Sequence, residues 1–187
     1  LYKRLPARDL HAFHYCVLFF QTRSVNKASE MNEILGPVKG KKMVVYTVGT
    51  FDLLHVGHLA LLEYCGSLGG TVAVGVAADS VVSSYKPNAP VIPLDQRLEM
   101  LMALKCVDIV RPYYKLEYIS GCNALNADVF VVGEDWGVKP HNIAVEAHLK
   151  AKGKKVVKIV YDLRTSSTQI KNTAIAQRHR DIELAVL

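Results

Sequence analysis

Only four cysteines occur among the 187 residues, at positions 16, 65, 106 and 122, widely separated and each in an apolar or helical-looking setting. No Cys-x-x-Cys pair and no histidines at zinc spacing accompany them, which argues against a structural zinc site or a disulfide framework. Free, mostly buried thiols in a reducing compartment are the expected state. Long apolar runs are missing too: nothing approaches the roughly 18 to 20 residues that span a bilayer. The nearest stretch, residues 12–20 behind Lys3, Arg4 and Arg8, is interrupted by His14 and Tyr15 and has no small-residue cleavage site close behind. It reads as a core helix rather than a signal peptide, and a cytoplasmic protein is expected. The chain starts at Leu1 instead of Met, as a processed protein or a piece of a longer one would. Internal repeats and low-complexity segments are absent. So are a Gly-x-x-x-x-Gly-Lys-Ser/Thr string and a Gly-x-Gly-x-x-Gly after the first predicted strand, which argues against a P-loop NTPase and a dinucleotide-binding dehydrogenase.

Half of the residues are hydrophobic and one fifth are charged, enough to bury one sizeable core with an appendage. The net charge of +6 suits a polyanion of some kind. Basic residues are scattered, apart from Lys39, Lys41, Lys42 and Lys152, Lys154, Lys155, and no aromatics interleave with them as stacking platforms would. A phosphate-bearing small molecule is therefore the expected partner, with no nucleic acid and no membrane span. The turn-rich Gly36-Pro37-Val38-Lys39-Gly40 divides an N-terminal helical extension, residues 1–40, from a main domain, residues 41–187. Within the extension, residues 9–33 faintly resemble the first helices of a helix-turn-helix, but no recognition helix fits before the linker; a helix packing on the domain or on a second subunit is expected.

From there short apolar runs alternate with helical patterns in the rhythm of a parallel α/β sheet. Strands are predicted at 43–48, 71–77, 107–110, 128–132 and 155–161. Helices are predicted at 58–68, 94–104, about 115–125, about 142–151 and 167 to about 176. Near-continuous Val and Ile in the strands imply burial on both faces. An open sheet of this kind takes its ligand beyond the carboxyl ends of the strands, where strand order reverses.

The residues with chemistry to offer sit there. Gly49, Thr50 and Phe51 leave the first strand, and His55, Gly57 and His58 open the first long helix. Two imidazoles three residues apart at a helix N-terminus share a face with unpaired N–H groups and about half a positive elementary charge. That is an anion trap with two donors, and Gly49 and Gly57 let a phosphate chain approach the backbone. A second element is Lys86 in a proline-bounded loop, followed by Asp95-Gln96-Arg97 at a helix start; two cations could face the histidines. A third is Gly133-Glu134-Asp135-Trp136 after the fourth strand, with a flat ring and an acceptor carboxylate, a Trp that merely seals the core being the less favoured alternative. The fourth is Arg164-Thr165-Ser166-Ser167, whose hydroxyls are first of all helix caps and could also hold phosphate.

His55-Val56-Gly57-His58 after a strand resembles the signature of the nucleotidyltransferase superfamily. The longer Gly49-Thr50-Phe51-Asp52-Leu53-Leu54-His55-Val56-Gly57-His58 looks like the glycerol-3-phosphate, choline-phosphate and ethanolamine-phosphate cytidylyltransferases, over about residues 43–175. The resemblance implies a Rossmann-like open parallel five-stranded sheet, the nucleotidyltransferase fold, and transfer of CMP from CTP to a phosphorylated acceptor, glycerol 3-phosphate by default. It implies His55, His58, Lys86 and Arg97 as catalytic residues. It implies Gly49, Thr50, Phe51, Gly57, Gly133, Asp135, Trp136, Arg164, Thr165, Ser166 and Ser167 as nucleotide-binding. Mg2+ would be held by the nucleotide, and a homodimer is the family expectation. Asp52 is the nearest carboxylate to such a metal, with buttressing of the loop as an equal alternative. The Gly-Glu/Asp-Asp-Trp turn favours CTP. Pro90-Val91-Ile92-Pro93 with Gln96-Arg97 also resembles the ADP-heptose and archaeal FAD synthetase branches, which leaves an adenylyltransferase as the nearest alternative. Asn88 stands where glycerol-3-phosphate enzymes carry a second lysine, and three residues of the family pattern are missing between Thr165 and Ser166. Both departures leave open a non-catalytic nucleotide-binding regulatory module.

Overall fold

The computed structural model describes residues 43–86, 89–160 and 165–185. The expected helical extension over 1–40 lies outside the described residues, as do Asn88, Arg164 and the side chain of Asp135.

Five parallel strands carry the domain: β1 (Val44–Gly49), β2 (Thr71–Ala77), β3 (Ile109–Tyr113), β4 (Val129–Gly133) and β5 (Lys155–Ile159), in the order β3-β2-β1-β4-β5. The chain fills one side of β1 with β2 and β3, then crosses to the other side with β4 and β5. The reversal falls between β1 and β4, whose register runs Val45↔Val129 to Thr47↔Val131, so Gly49 and Gly133 end neighbouring strands beside one crevice. Helices α1 (Val56–Ser67), α2 (Asp79–Tyr85), α3 (Leu94–Met102), α4 (Ile119–Ala124), α5 (Pro140–Ala151) and α6 (Ser167–Ala185) connect and follow the strands. No helix among the described residues is long and apolar enough to cross a membrane.

Strands β1, β2 and β4 bury both faces, as their composition predicts, whereas the edge strands β3 and β5 are only partly covered. Val45, Val72, Val74, Val129 and Val131 pack with Leu61, Leu62, Leu98 and Leu101 on one side. Tyr46, Ala73, Phe130 and Val132 pack with Tyr118, Cys122, Val145 and Leu149 on the other. Each fully buried Val, Leu or Phe among them stabilises the fold by about 1.5–3 kcal/mol.

Three elements differ from expectation. Helix α2 is not legible in Asp79-Ser80-Val81-Val82-Ser83-Ser84-Tyr85, which is rich in β-branched and serine residues; burial of Val81 and Val82 holds it. Strand β3 begins two residues later than predicted and includes Pro112, which an edge strand accepts because its missing N–H interrupts no outer ladder. Helix α6 runs well beyond residue 176, through good helix formers such as Gln177, Arg178, Arg180 and Leu184.

Candidate active site

The turn from β1 into α1 is held in an uncommon backbone shape. Phe51 and Leu53 both have left-handed φ, 53° and 49°, which non-glycine residues adopt at a cost of roughly 1–2 kcal/mol each. Gly49 is required before them, since a Cβ there would lie 2.9 Å from the Phe51 ring. Packing and hydrogen bonds hold the shape. The Phe51 ring is buried, Ser167 Oγ donates to the Asp52 carbonyl at 2.6 Å, and the Asp52 carboxylate accepts from the Val91 and Ile92 N–H groups at 3.0 and 2.9 Å. Lys171 Nζ completes the set 2.8 Å from the same carboxylate. Burial alone would raise the Asp52 carboxyl; Lys171 and the two N–H groups outweigh it and hold the group below the ordinary carboxylate range. Asp52 is thus a buttress of the loop.

His55 takes the position of an N-cap. Its Nδ1 accepts from the Gly57 N–H at 3.2 Å, which leaves Nε2 as the protonated nitrogen of the neutral ring. The His58 ring stacks on it at 3.8 Å between centroids and meets the Phe51 ring at 5.1 Å. Burial lowers the pKa of both imidazoles. For His58 burial, then the neighbouring His55, brings it down to about 4, with Lys86 adding in the same direction. Both rings are therefore neutral near pH 7, each with one N–H to offer at the helix N-terminus, where the α1 dipole supplies positive potential without the cost of a buried cation. His58 Nδ1 is buried with no hydrogen-bond partner among the described residues.

Around this pair the expected site residues fall into two groups. Gly49, Thr50, Phe51 and Gly57 belong to the turn and helix start that carry the histidines, Ser167 reaches that turn at the Asp52 carbonyl, and Gly133 ends the next strand. Ser166 caps α6 by accepting the Gln169 N–H at 3.2 Å, with Thr165 half-buried just before it. Lys86 is exposed at the end of α2, and its charge is felt at His58. Arg97 and Trp136 differ. The Arg97 side chain is fully buried and donates to Thr50 O, to Ile92 O at 2.9 Å, to Ala77 O at 2.9 Å and to Asp79 Oδ1 at 2.5 Å. Rather than facing the histidines as a free cation, it pins the β1 exit to the end of β2 and to the loop before α3. The Trp136 ring packs among Tyr118 (5.2 Å) and Phe130 (5.5 Å), and its buried Nε1 has no hydrogen-bond partner among the described residues.

Tyr85, Lys139 and Lys171 adjoin the site without having been singled out in the sequence. Tyr85 Oη lies 3.4 Å from Thr50 Oγ1, and the Lys86 and Lys139 ammoniums each lie 5.6 Å from the Tyr85 ring centroid. No carboxylate partners either lysine among the described residues. Tyr85 was hidden because α2 was; Lys139 carries no signal beyond its place after Trp136. For Lys171 a signal existed, since it lies four residues after Ser167 and so on the same helix face.

Residues 46–175 match the cytidylyltransferase-like family. The FAD synthase of Methanothrix thermoacetophila is 41% identical over 98 residues, covering 52% of this chain and 67% of that protein. The bifunctional protein HldE of Pectobacterium carotovorum is 35% identical over 136 residues, covering 72% of this chain; the match spans only 28% of HldE's length. Among solved structures, a lipopolysaccharide core biosynthesis protein from Thermoplasma volcanium GSS1 superposes with a TM-score of 0.56 at 25% sequence identity, over 64% of this chain and 98% of that one. With the paired histidines opening α1 beyond the sheet's reversal point, the chain belongs to the cytidylyltransferase-like family of nucleotidyltransferase enzymes.

Proposed function

We propose that this domain transfers AMP from ATP to a phosphorylated small-molecule acceptor, releasing pyrophosphate. The observation that carries nucleotidyl transfer is the neutral, stacked His55–His58 pair at the N-terminus of α1. An acceptor phosphate oxygen attacks the α-phosphorus in line, and the bond to the pyrophosphate leaving group breaks; no covalent enzyme intermediate is needed, so the protein's work is positioning and charge stabilisation. His55 and His58 donate to the α- and β-phosphate oxygens as charge builds there. Lys86 and Lys139, with no carboxylate partner among the described residues and converging on Tyr85, hold the acceptor phosphate and the leaving group. Mg2+ enters with the triphosphate as part of the substrate, since Asp52 is already committed to Lys171 and two N–H groups.

ATP is favoured by the FAD synthase relative, whose named product joins AMP to a flavin phosphate, and by the likeness of residues 90–97 to that branch. Trp136, on which the case for CTP leaned, packs its ring against Tyr118 and Phe130. CTP with glycerol 3-phosphate is the second reading, supported by the Gly133-Glu134-Asp135-Trp136 string and by the family's description.

Pyrophosphate release would be measured with Mg2+, each of four nucleoside triphosphates and a panel of phosphorylated flavins, sugars and alcohols. Release with ATP and one acceptor is expected, falling in His58→Ala by roughly a hundred- to a thousandfold, the worth of one preorganised donor at about 2.7–4 kcal/mol. Release with CTP alone moves the assignment to the second reading. Nucleotide binding with no turnover on any acceptor would make the domain a regulatory module.

A further inference from the structure

Three separate segments meet on the Asp52 carboxylate. Asp52 itself belongs to the turn that presents the histidines. Its two oxygens take the Val91 and Ile92 N–H groups from the loop before α3, and Lys171 Nζ comes in at 2.8 Å from the second turn of α6. Ser167, one turn earlier on α6, adds the 2.6 Å bond to the Asp52 carbonyl. The Asp52 side chain is 4% exposed and that of Lys171 26% exposed, so the pair is shielded from solvent and lies where a charge-assisted bond fixes geometry. Ile92 in turn gives its carbonyl to Arg97, whose guanidinium also holds Thr50 O at the base of the histidine turn. Among the described residues, the charged group that meets Asp52 is Lys171 on α6, the Asp52 charge is felt at His58 on α1, and Arg97 on α3 reaches Asp52 only through the Ile92 backbone.

We infer that Lys171 is a positioning residue for nucleotidyl transfer: through Asp52 it couples the start of α6 to the histidine turn and to the loop before α3. The consequence is that the serines and the lysine at the head of α6 and the two imidazoles are one rigid unit, although they come from opposite ends of the domain's sequence. Lys171 is engaged inward, toward a carboxylate that would otherwise be buried with two N–H groups and no counter-charge. Misplacing the donors by even an ångström lowers turnover by roughly a hundredfold, whereas ground-state nucleotide binding is spread over many contacts.

The kinetic half of the test rests on the transfer activity proposed above; the stability half does not. Lys171→Met, Lys171→Arg, Asp52→Asn and the double variant Asp52→Asn/Lys171→Met would be compared in the full chain. Readouts are kcat, nucleotide KM, and thermal midpoint between about pH 4 and pH 8. Lys171→Met is expected to lower kcat by roughly ten- to a hundredfold with nucleotide KM within about threefold. Its loss of midpoint should grow above the ordinary carboxylate range, where Asp52 must ionise alone. Lys171→Arg restores most of both. In the Asp52→Asn background, Lys171→Met has no further effect on kcat, because nothing is left for it to position. That neutral double variant also keeps the test readable if Lys171→Met alone does not fold. Wild-type kcat and midpoint in Lys171→Met would overturn the inference. So would a loss that appears in nucleotide KM and persists undiminished in Asp52→Asn, since Lys171 would then be touching phosphate itself. If no variant and no acceptor shows turnover, the functional reading fails, and the pH-dependent midpoint decides the pair alone: parallel curves for wild type and Lys171→Met overturn it.

Discussion

Replacing Arg97 by Met separates two roles that the residue's position in the sequence allows equally. Met keeps most of the buried stem and removes four N–H bonds, to Thr50 O, Ile92 O, Ala77 O and Asp79 Oδ1. The Asp79 side chain is 48% exposed, so water replaces its lost partner at little expense. The three carbonyls are less fortunate, because Arg97 is 1% exposed and no solvent reaches its place. Stranding a buried acceptor costs about 1–3 kcal/mol each, and partial relaxation brings three of them to about 3–5 kcal/mol, the range found when a buried ionic network loses one member. For a domain of this size that lowers the thermal midpoint by roughly 6–20 °C. The assay is thermal and denaturant unfolding of the variant beside nucleotide and acceptor KM. A midpoint within about 2 °C of wild type, with KM for either substrate raised tenfold or more, would refute the buried-pin reasoning and return Arg97 to the role of a ligand-facing cation.

Two further outcomes follow from the same geometry. His58, with its pKa held at about 4 against an ordinary value of 6.5, refuses a proton that the unfolded chain accepts. Its contribution to stability is complete above about pH 6.5 and is lost progressively as pH falls toward 4, by about 3 kcal/mol in all. Asp52, also depressed, loses its contribution in the same direction at lower pH. His58→Gln should flatten unfolding free energy between about pH 7 and pH 4.5, and a slope equal to wild type there would sink the assignment. Gly121 faces the Tyr46 hydroxyl, which would lie 2.6 Å from an added Cβ. Gly121→Ala should destabilise by about 1–3 kcal/mol in chemical denaturation, and Tyr46→Phe in the same chain should recover part of that; no recovery would mean the clash lies elsewhere.

The five strands and the position of the site were legible because the signals were local. Runs such as Val72-Ala73-Val74 and Val129-Phe130-Val131-Val132 are apolar on both faces, and only a sheet covered by helices on both sides buries them. His55-Val56-Gly57-His58 after such a run lies at a helix start whatever else the chain does, and the anion-binding character of that place comes from backbone dipoles that are the same in every helix. Helix α2 was illegible because its residues disfavour a helix individually and only the buried Val81 and Val82 reverse that. With α2 went Tyr85 and the convergence of Lys86 and Lys139 upon it.

Composition and spacing alone determined that the chain is an α/β domain with paired histidines opening its first long helix at the end of its first strand. Only the tertiary structure decided which charges are free to meet a ligand. Arg97, Lys86, Lys139 and Lys171 are equivalent as letters in a basic chain, but a cation's work depends on what lies within about 3 Å of it. Folding surrounds Arg97 with carbonyls and sets Lys171 against Asp52, while Lys86 and Lys139 keep no carboxylate among the described residues. Those neighbours come from residues far apart in the chain, brought together by strand order and helix packing, and no local pattern encodes them.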